Sequence, residues 1–138
     1  MQSRQEVVMA QVVTRVVVAL SAVYTLVFGV WMWGWPRSFA EYVDFPPHEH
    51  FLHDLGAFHL GIGIALVSAL VWRDAIVVVL VGFATAGLIH AVNHAMDAHL
   101  GGAASDPYVI GAQTLVAVVG IVFRVRHLRA RQAKKQVR

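Results

Sequence analysis

The sequence predicts an all-α, polytopic membrane protein: a four-helix transmembrane bundle with both termini cytoplasmic. Three observations carry this expectation. Hydrophobic residues make up 58% of the 138-residue chain and charged residues 14%, against about 45–50% and roughly 25% in a soluble domain. The apolar excess is gathered into four long blocks. Each block, with its flanks, approaches the roughly 20 residues that cross about 30 Å of hydrocarbon at a 1.5 Å rise.

The blocks run from Val16 to Trp35, from Leu55 to Trp72, from Ala75 to Met96 and from Pro107 to Phe123. In lipid only a helix satisfies its own backbone, so four blocks mean four helices. The first block carries no charge, and its Val16-Val17-Val18 run would read as strand in water. It ends in Trp33-Gly34-Trp35-Pro36 rather than small residues, so a cleaved signal peptide is not expected. Pro46-Pro47 precede the second helix. Only Arg73-Asp74 separate the second and third blocks, which makes them a tight antiparallel hairpin. Gly101-Gly102 can end the third helix in a left-handed cap. Asp106-Pro107 reads as an N-cap followed by proline at the first helical position. The expected organisation is a transmembrane domain over residues 1–126, with helices at about 12–35, 51–72, 74–100 and 107–126, and a basic cytoplasmic tail over 127–138. Small residues on the second helix, Gly56, Ala57, Gly61 and Gly63, allow close helix approach. Gly61 shares a face with Asp54 and Ala57 and is expected to abut the third or fourth helix.

Charge orients the bundle. The formal net charge is +3, and most basic residues sit at one end. Arg124, Arg126, Arg129, Arg131, Lys134, Lys135 and Arg138 follow the last block; Arg4 and Arg15 lie near the N-terminus and Arg73 in the short turn. The first loop has Arg37 alone and the last loop has none. The positive-inside rule therefore places both termini in the cytoplasm. Trp31, Trp33, Trp35 and Tyr108 suit the outer interface, Trp72 and Phe123 the inner one. The basic tail suits anionic lipid rather than nucleic acid, since no aromatic residues interleave it for base stacking.

Several chemistries are excluded. The chain has no cysteine, which removes disulfides, thiolate ligands and iron–sulfur clusters. It has no Gly-rich phosphate loop and no GxSxG, so nucleophilic catalysis has no candidate. What remains is a concentration of histidine towards the outer face: His48, His50, His53, His59, His90, His94 and His99, with Glu49, Asp54 and Asp97. On the third helix His90, Asn93, His94 and Asp97 fall within about 100° of one another. On the second, His50 and Asp54 are four apart. If the hairpin folds closely about Arg73, then His50, Asp54, His90, His94 and Asp97 face one another. Such a His/carboxylate set suits a divalent metal, Zn, Fe, Mn or Cu. The competing reading is interhelical polar glue, to which Asn93, Gln113 and Thr114 would contribute. A weaker pattern pairs His59 with His90 at similar depth. Glycines at 56, 63 and 87 could admit a flat ring, which suggests haem b.

The run His50-Phe51 to Asp54, Gly56-Ala57-Phe58, Leu60-Gly61 and Gly63, followed by His90, His94, Asp97 and Ser105-Asp106-Pro107, resembles small four-helix membrane proteins of actinobacteria. More loosely it resembles DoxX-like proteins. The resemblance covers the second and third helices and the start of the fourth. It implies the fold and a plasma-membrane location, and no activity. In that pattern glutamine is common at position 59, and the histidine here departs from it. The leading expectation is an accessory or structural membrane subunit, alone, as a homo-oligomer or with other subunits, with metal binding at the His/Asp cluster left open. A membrane redox or metal-dependent enzyme is the competing class, and a small oligomeric transporter the third.

Overall fold

In the computed structural model, residues 4–136 are described. Residues 1–3, Val137 and Arg138 lie outside them, including the last arginine of the expected tail. The described chain holds five α-helices: α1 Arg4–Gly34, α2 Pro36–Tyr42, α3 Glu49–Val71, α4 Ile76–Met96 and α5 Asp106–Gln136. A single 3₁₀ turn, Arg73–Ala75, joins α3 to α4. Four of the helices are long and apolar enough to cross a membrane: α1, α3, α4 with its preceding turn, and α5. Their outer surfaces are apolar, with Leu20, Val27, Phe58, Val78, Leu88 and Leu115 exposed. Water would penalise such faces and lipid does not.

The helix ends differ from the sequence expectation in several places. Pro36 opens a short helix, α2, where the sequence predicts a loop, because proline at the first helical turn has no amide to leave unsatisfied. The third span stops at Met96 rather than near 100. Gly101 and Gly102 come after it at φ 137° and 85°, conformations that glycine adopts without strain. The last helix does not stop near 126 but continues to Gln136, so the basic segment is helical. α1 likewise begins at Arg4, well before 12.

The long helices explain each other. α1 and α5 each run 31 residues, against 23 in α3 and 21 in α4. At 1.5 Å per residue they outreach the α3–α4 hairpin by roughly 12–15 Å. There the Gln11 amide meets His127 Nε2 at 3.1 Å, with His127 only 2% exposed. Arg124, 7% exposed, donates from Nη2 to the Arg73 carbonyl at 2.7 Å and so ties α5 to the hairpin turn.

α3 lies along α1, α4 along α5, and α1 against α5, whereas α3 and α4 touch little beyond their turn. One apolar core joins all four spans: Val17, Val18 and Ala22 from α1, Leu66 and Ala69 from α3, Ile76, Leu80 and Ala84 from α4, and Ala117 from α5. These residues lie towards the hairpin end of α3 and α4. A second core of Met32, Phe39, Ala40 and Leu52 belongs to α1, α2 and α3 alone. The bundle thus pairs α1 with α3 and α4 with α5, with a four-span apolar core at the hairpin end and a second core built from α1, α2 and α3 at the other.

Glycines set this division. A Cβ built on Gly56 would stand 2.9 Å from the Trp33 backbone nitrogen, and one on Gly63 would stand 2.6 Å from the Leu26 side chain. Gly29 in α1 answers them, with the Leu60 backbone nitrogen 2.9 Å from its own Cβ position. These contacts fix the rotation of α3. Gly61, expected to abut another helix, instead faces open space. The rotation is testable by thermal melts in detergent. Gly56→Ala should lose about 1–3 kcal/mol by overpacking, and Gly61→Leu should leave the melting temperature unchanged. The opposite pattern would mean that α3 is turned by half a revolution.

Candidate functional site

The polar residues at the end of the bundle opposite the hairpin turn are placed by that rotation. His50 and Asp54 leave α3 on its outward side and pair only with each other, Nε2 to Oδ2 at 3.5 Å. The Asp54 side chain is 61% exposed. His48 caps α3, its Nδ1 accepting the Phe51 amide proton at 3.2 Å. His53 lies beside the Trp33 ring at 6.2 Å between centroids. Glu49 forms an ion pair with Arg37 at 2.6 Å and neutralises the one basic residue of the first loop.

A different set converges between α4 and α5. His90 and His94, one turn apart, bring their Nε2 atoms to 3.0 Å. His94 Nδ1 faces Asp106 Oδ2 at 3.6 Å, with side chains 18% and 27% exposed. That carboxylate also accepts the Ala103 amide proton at 2.9 Å. With a proton on His94 Nδ1, the atom that faces the carboxylate, His94 Nε2 would accept from His90 Nε2. The result is a chain of contacts, His90 to His94 to Asp106, that crosses from α4 to the first residue of α5. Gly102 lets the chain close: its Cβ position would lie 3.0 Å from Asp106 Oδ2. Phe45 covers the outer side, its ring 6.3 Å from the His94 ring, and the Gly102 amide donates to the Asp44 carbonyl at 3.2 Å. His59 on α3 and Tyr24 on α1 lie within electrostatic reach of this chain, the first of His90 and the second of Asp106.

The five expected ligands therefore do not form one set. Asp54 stays with His50 on α3 because α3 packs along α1 rather than along α4. Asp97 ends α4, where its amide donates to the Asn93 carbonyl at 2.9 Å. Asn93 itself is exposed, and Gln113 is half-buried with its Nε2 unpartnered. Among the described residues, no three of His, Asp and Glu stand close enough to hold one metal ion. The haem pattern fares no better on geometry. Gly56 and Gly63 are closed by α1, and Gly87 by Thr114 of α5, so none admits a flat ring. His59 Nδ1 donates to the Leu55 carbonyl at 2.9 Å, while His90 Nε2 is engaged by His94.

Sequence reasoning missed Asp106, read only as a helix cap. The carboxylate lies at the first residue of α5 and serves the preceding loop and His94 instead. It missed Arg124 and His127 as buried groups, because a basic tail looks solvated. No family model, curated protein or solved structure matches the chain.

The geometry ranks the acidic residues. His94→Ala or Asp106→Ala removes one end of a half-buried pair and should cost about 1–3 kcal/mol. Asp54→Ala, at an exposed i,i+4 pair, should cost no more than about 0.5 kcal/mol. Chemical or thermal unfolding in detergent gives both numbers, and a larger loss for Asp54→Ala would reverse the assignment.

Proposed function

We propose that the chain is a non-enzymatic, multi-pass subunit of the plasma membrane whose outer polar cluster is an interhelical fastener. The observation that carries this reading is the His90–His94–Asp106 chain, in which each group already has a protein partner. A fastener needs this closure, whereas a catalytic metal centre keeps a ligand position open. An accessory role has a second support. α3 presents Asp54, Ala57, Gly61 and Ala65 on one exposed face, with open space at Gly61. Small residues with a polar group at one end suit a second helix better than lipid tails.

Both termini on the cytoplasmic side is part of the same proposal. Arg15, Arg73 and the basic residues of α5 share the hairpin end of the bundle, whereas Arg37 at the other end is already paired with Glu49. Charge asymmetry near the membrane determines such orientation. Cysteines placed at the exposed Ser38 and Ala104 should react in intact cells with an impermeant thiol reagent, and one at Gln132 should not. Labelling of Gln132→Cys alone would invert the topology without affecting the fold.

The fastener and a metal centre differ in one melt experiment. A divalent ion bound at the histidines would stabilise the fold by about 2.7 kcal/mol at a hundredfold excess over its dissociation constant. That gain would fade at low pH as the histidines take up protons. A fastener predicts no shift on adding zinc, manganese, iron or copper between about pH 6 and 8, where neutral histidine is available. A stabilisation by any of these metals that His94→Ala abolishes would replace this reading with the metal-dependent one.

A further inference from the structure

The hairpin end of the bundle carries a feature that the outer cluster does not explain. α1, the hairpin end of α3 and the 3₁₀ turn border an open, shallow groove of about 470 Å³ lined by Arg15, Val16, Ala19, Leu70 and Arg73. Its composition is divided: two guanidiniums and three apolar side chains. Both arginines are exposed, and among the described residues neither closes an ion pair with a carboxylate. Arg124, buried nearby, stands within electrostatic reach of both, as does Arg131 of Arg124. Asp74 is the acid within that same reach, so positive charge predominates. Trp72, 69% exposed on the turn beside Arg73, marks the depth at which indole rings favour the headgroup layer.

We propose that this groove seats one anionic phospholipid, its phosphate held by Arg15 and Arg73 and an acyl chain laid along Val16, Ala19 and Leu70. Charge complementarity selects the anion. The apolar wall selects a lipid over a free phosphate, since a solvated ion gains nothing from Val16 or Leu70. The wall also continues in the direction an acyl chain must take. Val16, Val23 and Val30 recur at seven-residue spacing on one exposed face of α1. They lead from this groove to a second one of about 390 Å³ lined by Leu26, Val27, Val30, Trp31 and Trp35. Arginine suits the role because its planar fork can hold two phosphate oxygens at once. The site is distinct from the basic C-terminal segment, whose attraction to an anionic surface is diffuse. It also depends on no particular orientation of the chain, since either leaflet can supply the lipid in a reconstituted membrane.

The full chain reconstituted in phosphatidylcholine vesicles provides the test. Relative association constants are read from spin-labelled phosphatidylglycerol and spin-labelled phosphatidylcholine. The wild type should prefer the anionic lipid. Arg15→Ala and Arg73→Ala should each lower that preference about fivefold, the value of one cationic side chain near the membrane surface. Arg129→Ala removes the same charge from an exposed position farther along α5 and should change it by less than about twofold on the same scale. Ala19→Phe should lower anionic-lipid retention with no change of charge. Because Arg15 and Arg73 are exposed, their variants retain the fold, which a melt verifies. No preference in the wild type would overturn the proposal. So would a loss from Arg129→Ala equal to that from Arg15→Ala, which would mean a diffuse field. Displacement of the labelled lipid by soluble glycerol phosphate would overturn it too, because the anion alone would then suffice.

Discussion

Close contact between α1 and α3 governs how the rest of this bundle is arranged. Hydrocarbon gives two apolar helices little reason to associate, so association rests on how closely their backbones approach. Gly29, Gly56 and Gly63 bring these two backbones to a separation that no Cβ would allow. α3 lies along α1 and touches α4 little beyond the three-residue turn that joins them. α4 turns to α5 instead, where Gly87 receives Thr114. The spans share one core near the hairpin, and the core at the opposite end is built from α1, α2 and α3.

Polar chemistry joins α4 to α5 at the end opposite the hairpin turn. Among the described residues, the core of Met32, Phe39, Ala40 and Leu52 takes no buried residue from α4 or α5. There the His90–His94–Asp106 chain supplies the cross-link. A carboxylate and two imidazoles are costly in a low-dielectric setting unless each is partnered. Here the Ala103 amide donates to the Asp106 carboxylate, His94 faces that carboxylate, and His90 meets His94. The other end works differently. Arg124 holds the hairpin turn through the Arg73 carbonyl, and His127 with Gln11 joins the overhanging halves of α1 and α5.

The four spans and the turn at Arg73 were legible in the sequence because hydrocarbon thickness and backbone satisfaction leave a block of about 20 apolar residues one outcome. Helix rotation was not legible. A helix that is apolar all round carries little amphipathic signal, so nothing in the string told Gly56 and Gly63 apart from Gly61. The candidate site failed for the same reason. His50, Asp54, His90, His94 and Asp97 converge only if neighbours in the chain are neighbours in space, and the glycines send α3 elsewhere. Within one helix, spacing was reliable: His90 and His94 meet as four-residue spacing requires. Asp106 was visible only as a cap, since proline after aspartate is a strong helix start and conceals any longer-range partner. The helical run to Gln136 escaped notice because its buried histidine is covered from α1, at the far end of the chain.

A pair of double-mutant cycles tests the division of the bundle most directly. One combines His94→Ala with Asp106→Ala; the other combines His94→Ala with Asp54→Ala. Residues in contact show interaction energies of about 0.5–3 kcal/mol, while distant ones add within roughly 0.3–0.5 kcal/mol. Helices paired as α1 with α3 and α4 with α5 predict coupling in the first cycle and additivity in the second. Coupling between His94 and Asp54, with additivity between His94 and Asp106, would contradict it and close the hairpin upon itself.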